Sequence, residues 1–144
     1  MIETAKALYT YLSGFGIPAY GNNTVPDDAE LPYLTYPLTE PYWNVPTSFY
    51  ITVYYRNKDS NFASLAKADE IVKAVGEAAV IACKGGYIVL RPDTLPIQEL
   101  PPEGDVRGAY ISLQLNAFKT NDDPQDDEEP GAQTPAENEE REDE

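Results

Sequence analysis

The sequence predicts an α+β fold: a mostly antiparallel or mixed sheet packed on one face by a short N-terminal helix and one long helix, with a disordered acidic C-terminal tail. Three observations carry this. Residues 48–57 and 108–119 alternate apolar with polar or aromatic side chains at the period of a strand. Between them, residues 61–82 are rich in alanine and carry an apolar stripe at helical spacing. Strands thus precede and follow one long helix through short connections, which favours helices segregated to one face of a sheet.

In chain order, Ile2, Ala5, Leu8, Tyr9 and Leu12 recur at helical spacing, and residues 2–13 form a short amphipathic helix ended by Gly14 and Gly16. Residues 17–20 are a short extended piece, which Pro18 confines to a sheet edge or outside the sheet because it lacks an N–H. Residues 21–32 are a polar loop of turn formers. Residues 33–38 read as a strand halted near Pro37, and residues 39–47 as a proline-bearing loop with Tyr42 and Trp43. In the strand of residues 48–57, Phe49, Ile51, Val53 and Tyr55 share one face while Tyr50, Thr52, Tyr54 and Arg56 share the other. Asp59 or Ser60 is placed to cap the long helix, whose stripe is Leu65, Ala68, Val72, Val75 and Ala79. That helix is expected to run to Ala82, with Lys84 at its cation-favouring end and Gly85-Gly86 turning the chain. Residues 87–91 form a strand, and residues 92–104, with four prolines, are irregular apart from a short edge strand at residues 95–99. In the closing strand, residues 108–119, Ala109, Ile111, Leu113, Leu115 and Ala117 point to the core; Tyr110, Ser112, Gln114, Asn116 and Phe118 point away.

The chain has 144 residues and a net charge of -15. Residues 121–144 hold twelve acids against Arg141 alone, a net of -11, and almost no apolar side chain. Such a segment cannot bury enough surface to offset its ordering entropy. The organisation expected is one domain over residues 1–120 and an acidic low-complexity tail over 121–144. Cys83 is the single cysteine, which excludes an internal disulfide and fits a reducing compartment, and it reads as a small core residue. The N-terminus does not look like a signal peptide, and no apolar run reaches the roughly 20 residues of a membrane helix. An intracellular chain that engages no membrane is expected.

Candidate chemistry is sparse. There is no histidine, which removes the commonest general base and metal ligand. The glycines at 14, 16, 85 and 86 lack the spacing of a phosphate loop. Asp27, Asp28 and Glu30, and Asp122 with Asp123, read as solvated loop acids without a calcium-loop pattern. Ser64 and Lys67 match a Ser-x-x-Lys spacing, with Lys67 expected exposed on its helix. No cofactor and no metal are expected. Nine bases scattered through residues 1–120 form no stripe for nucleic acid. What stands out is a tyrosine-rich sheet face: a solvated face normally carries charged and small polar groups, so Tyr50, Tyr54, Tyr110, Gln114 and Phe118 are candidates for contact with another protein. Tyr42 and Trp43 are either plugs beneath their loop or contact residues.

The order of elements, the Gly16-Ile17-Pro18-Ala19-Tyr20 piece, the Pro32-to-Tyr36 strand, the aromatic strand from Ser48 feeding the alanine-rich helix, and the closing strand from Arg107 to Phe118 together resemble the tail terminator (tail completion) proteins of long-tailed bacteriophages and phage-like particles. The resemblance covers residues 1–119; the acidic tail is outside it. It implies a non-enzymatic virion protein that forms a homohexameric ring at the head-proximal end of the tail, assembled in the bacterial host cytoplasm. That ring caps the tail-tube protein, stops its polymerisation and supplies the surface that meets the head-tail connector protein, while genomic DNA passes through without specific binding. Ring subunits need two different patches meeting head to tail, and the interface candidates are Tyr42, Trp43, Tyr50, Tyr54, Tyr110, Gln114 and Phe118. Two alternatives stand beside it: a head-side connector or head-completion ring protein, and an acidic-tailed adaptor or DNA-mimic protein.

Overall fold

In the computed structural model, the described residues are 2–38 and 41–120. The expected disordered tail, residues 121–144, lies outside them. The fold is α+β. Helix α1 (Ile2–Leu12) runs into a 3-10 turn (Ser13–Phe15), and helix α2 spans Phe62–Val75. Six strands, β1 (Ala19–Gly21), β2 (Tyr33–Tyr36), β3 (Thr47–Arg56), β4 (Ala79–Cys83), β5 (Gly86–Glu99) and β6 (Val106–Lys119), form one sheet in the order β1-β2-β3-β6-β5-β4. The β1–β2 pair is parallel; the other pairs are antiparallel.

The alternation read from β3 and β6 is the organising feature. Phe49, Ile51 and Val53 on β3, and Ala109, Ile111, Leu113, Leu115 and Ala117 on β6, are fully buried. All but Ala117 meet Leu8 and Leu12 of α1 and Ala68, Ile71 and Val75 of α2 in a single core on one face of the sheet. A one-residue slip of register would turn every one of these side chains outward, so burial fixes the pairing.

Two elements differ from the sequence expectation. The long helix stops at Val75, not Ala82: Gly76 takes a φ of 62° and its N–H bonds the Val72 carbonyl at 3.0 Å. Residues 79–83 are the strand β4, paired with β5 from Ala79↔Leu90 to Cys83↔Gly86. Helix propensity is a weak prior, and here the hairpin pairing overrides it. Cys83 accordingly sits half-buried on β4, with its neighbours Ala79 and Ile81 packed against the core. Strand β5 also runs further than residues 91 or 95–99 suggest. It passes through Pro92 with a register shift between Pro92 and Ile97. Beyond Leu90 it has no neighbour on the β4 side, so its prolines sit on an edge, where a missing N–H costs no ladder bond. The capping expected of Ser60 is present, its Oγ accepting from the N–H of Phe62 at the start of α2 at 3.3 Å, while Asn61 makes no side-chain cap bond. Asn57 Oδ1 accepts from the N–H groups of Asp59 and Ser60.

Candidate protein interface

The helices cover one face of the sheet, and alternation sends the remaining side chains of β2, β3, β5 and β6 to the other. That outer face carries four aromatic contacts. Tyr50 of β3 and Tyr110 of β6 stack at 5.1 Å between ring centroids with 17° between planes. They are diagonal neighbours: Tyr50 lies across from Ser112, and Thr52 from Tyr110. Next to them Tyr54 meets Tyr33 of β2 at 5.6 Å, and Tyr33 meets Tyr20 of β1 edge-on at 5.5 Å. At the far end of β6, Phe118 stacks on Tyr87 of β5 at 5.3 Å. Eight residues separate Tyr110 from Phe118, about 26 Å along a strand. The aromatic surface is therefore two clusters joined by the polar run Ser112, Gln114 and Asn116. Gln114 is exposed between Ser48 and Arg91.

Burial of the Tyr110 ring, and the nearby Tyr50 hydroxyl, raise the Tyr110 pKa above its ordinary 10.0. Tyr54 is also raised, chiefly by burial and then by Tyr33, against the opposing hydrogen bonds of Thr52 and Thr35. Both phenols are neutral at physiological pH and present uncharged rings with polar tips. Tyrosine is enriched at protein interfaces because it offers that combination.

Five of the seven residues singled out in the sequence, Tyr50, Tyr54, Tyr110, Gln114 and Phe118, share this face. The other two do not. Tyr42 is 80% exposed in the β2–β3 loop. Trp43 forms a parallel bridge with Ala117, whose side chain points to the core, and its ring lies 3.0 Å from where a Cβ on Gly86 would stand. Trp43 is thus half-buried beside the end of β6, while Tyr42 is the exposed one of the two. Tyr20, Tyr33 and Tyr87 belong to the face and were not singled out. Tyr87 had a signal, since it alternates with buried Ile88 as Phe118 does with Ala117.

The other candidate chemistry disperses. Ser64 is buried and its hydroxyl donates to the Asn61 carbonyl at 2.9 Å. Lys67 is not exposed as expected: its side chain is 16% accessible, and Nζ donates to the Phe15 carbonyl at 2.8 Å and to Glu70 at 2.9 Å. Among the described residues no three His, Cys, Asp or Glu side chains are grouped to hold a metal ion, and no helix is long and apolar enough to cross a membrane.

The fold and this face define an α+β protein with one sheet face given to its own core and the other left open and aromatic. No protein-family model matches the chain, and no curated protein matches it significantly. A solved structure of a protein whose name describes no function is similar in fold, with a TM-score of 0.56 and 16% sequence identity over 84% of this chain and 94% of that one. At that identity the likeness speaks for the fold alone.

Proposed function

We propose that this chain is a structural subunit of a ring that caps the tail tube of a long-tailed phage or phage-like particle, stops its polymerisation and offers the surface to which the head joins. The observation that carries the reading is the uncovered outer face, where Tyr20, Tyr33, Tyr50, Tyr54, Tyr110, Tyr87 and Phe118 lie on a rigid sheet with Arg56 and Arg91 as charged groups beside them. Rings held by cross-strand contacts lose little conformational entropy on docking, which suits a surface that must bind another protein. The exposed Tyr42 loop, next to the Phe118 end, supplies a second patch of different shape, as head-to-tail ring contacts require. The resemblance read from the sequence agrees with both. The decisive experiment measures the mass of the purified chain alone and with tail-tube protein added. A ring that assembles on tube ends and halts their growth is expected. A chain that leaves tube growth unchanged overturns the reading.

A further inference from the structure

The outer face is hollowed at the end of the sheet where β5 turns into β6. The turn is tight: Glu103 and Val106 exchange backbone hydrogen bonds of 3.1 and 2.9 Å around Gly104, whose φ is 60°. The N–H of Leu100 bonds the Gly108 carbonyl at 3.0 Å, which holds the Leu100-Pro101-Pro102 segment beside the start of β6. Gly108 alternates with buried Ala109, and Tyr54 with buried Val53, so both face outward. Because Gly108 has no side chain, a slot of about 370 Å³ opens over it, lined by Tyr54, Leu100, Pro101, Pro102, Glu103 and Val106. A Cβ on Gly108 would stand 2.9 Å from Leu100 Cδ1 and 3.5 Å from the Tyr54 ring. This volume is at the low end for ligand pockets. Its walls are a ring, two prolines and aliphatic groups, with one acid at the rim. Among the described residues no base is paired with the Glu103 carboxylate. The slot therefore suits one flat, apolar side chain that ends in a hydrogen-bond donor.

We propose that the slot receives Tyr42 of a second copy of this chain. The proposal rests on the ring reading above and names the contact that joins neighbours in it. Tyr42 is 80% exposed. Its ring enters between Tyr54 and the two prolines, and its phenol O–H donates to the Glu103 carboxylate. Tyrosine is among the residues that carry most binding energy when they fill a pocket on a partner. The other exposed apolar side chains fit less well. Phe62 and Leu95 have no donor, Tyr50 is held in its stack with Tyr110, and Tyr9 lines a groove with Tyr36 and Leu38. Tyr42 and the slot also sit at opposite ends of β6. Tyr42 precedes Trp43, which bridges Ala117, and Ala117 lies nine residues from Gly108, about 30 Å along a strand. No side chain spans that distance, so a chain cannot fill its own slot. Each copy instead offers its tyrosine to one neighbour and its slot to another, the heterologous arrangement that builds a ring. The strand between the two patches fixes their spacing.

The test uses the full chain and reads its mass by sedimentation. The wild type is expected to grow beyond two chains as its concentration rises. Tyr42→Ala removes the tyrosine and leaves the slot; Gly108→Val fills the slot and leaves the tyrosine. Each alone is expected to associate at least about tenfold more weakly, with an unchanged circular dichroism spectrum. Mixed in equal amounts, the two share one intact contact, Tyr42 of the Gly108→Val chain in the slot of the Tyr42→Ala chain. The mixture is expected to give a two-chain species and nothing larger. Tyr42→Phe and Glu103→Ala keep the slot testable even if Gly108→Val fails to fold: each should weaken association, and the two together should weaken it no further than either alone. A mixture no heavier than its separate chains overturns the contact, as does a wild-type assembly that Tyr42→Ala leaves intact, which would give the slot to a foreign side chain. Tube growth is measured separately. If Tyr42→Ala caps tubes as the wild type does, the contact falls and the ring reading stands; a wild type that is a monomer at every concentration and leaves tube growth unchanged overturns both.

Discussion

Tyr50 and Tyr110 stack across the β3–β6 pair at 5.1 Å on the face of the sheet that no helix covers. Tyr50 remains 39% exposed, so the pair contributes only in part to the stability of the domain. An aromatic cross-strand pair is worth about 0.5–1.5 kcal/mol beyond its area, whereas a central interface tyrosine often costs about 2 kcal/mol or more of binding when truncated. Under the proposed function, Tyr50→Ala should therefore lower the denaturation midpoint modestly and weaken binding to tube protein by more than about tenfold. Co-sedimentation with preformed tubes alongside a urea melt separates the two effects. Equal and small losses in both would mean that the pair serves the fold alone.

Gly86 is the position where the sheet tolerates least. A Cβ built there would stand 2.0 Å from the Phe118 carbonyl oxygen and 3.0 Å from the Trp43 ring. The obstacle is backbone, so it cannot rotate away, and β5 and β6 would have to part at the Tyr87–Phe118 end. Gly86→Ala is expected to destabilise by about 2–4 kcal/mol. Trp43 is the sole tryptophan, so its fluorescence reports on this corner. A red-shifted native emission with a lowered urea midpoint is the expected result.

How far this fold is legible in the sequence depends on whether the deciding interaction is local. The alternation of residues 108–119 is local, and each position it sends inward from Ala109 to Ala117 is fully buried. The end of α2 is not. Ala78, Ala79 and Ala82 favour helix by themselves, and only the pairing of β4 with β5 reveals them as a hairpin arm. Trp43 and Tyr42 are adjacent in the chain and opposite in fate, because Trp43 bridges to Ala117, a partner that no local pattern announces. The tyrosine face was visible as a face, but which rings touch depends on register across strands distant in sequence.

The tyrosines also set the pH response. Burial raises the pKa of Tyr11, Tyr36, Tyr54 and Tyr110 above 10.0 in the folded chain. The folded state then holds these protons more tightly than the unfolded one. Their contribution is full below about pH 10 and is lost as the pH rises through the folded values. Urea midpoints should fall from about pH 10 upward, and the double variant Tyr54→Phe, Tyr110→Phe should flatten that fall. At the acid end the sign reverses. A hydrogen bond from Arg56 lowers the Asp105 pKa below 3.8, so this contribution is present above that value and lost as the pH drops through the folded one.

Lys67 links the two helices, which share few direct contacts. Its Nζ reaches from α2 to the Phe15 carbonyl in the turn that follows α1, 52 positions away in sequence, and bonds it at 2.8 Å. The same nitrogen meets Glu70, but that carboxylate is 55% exposed, and exposed ion pairs are worth at most about 1 kcal/mol. The carbonyl contact is the stronger term, because a charged donor satisfies an acceptor in a partly buried site. Lys67→Met keeps the stem that packs along α2 and removes the donor. It should cost about 1.5–3 kcal/mol, the range for a hydrogen bond to a charged group. Glu70→Ala should cost less than about 1 kcal/mol. Urea melts of the two variants give the comparison, and amide exchange in residues 13–18 locates the effect. Faster exchange there in Lys67→Met but not in Glu70→Ala would show that the bond to Phe15 holds the end of α1 onto α2; equal behaviour would assign the cost to the lost ion pair.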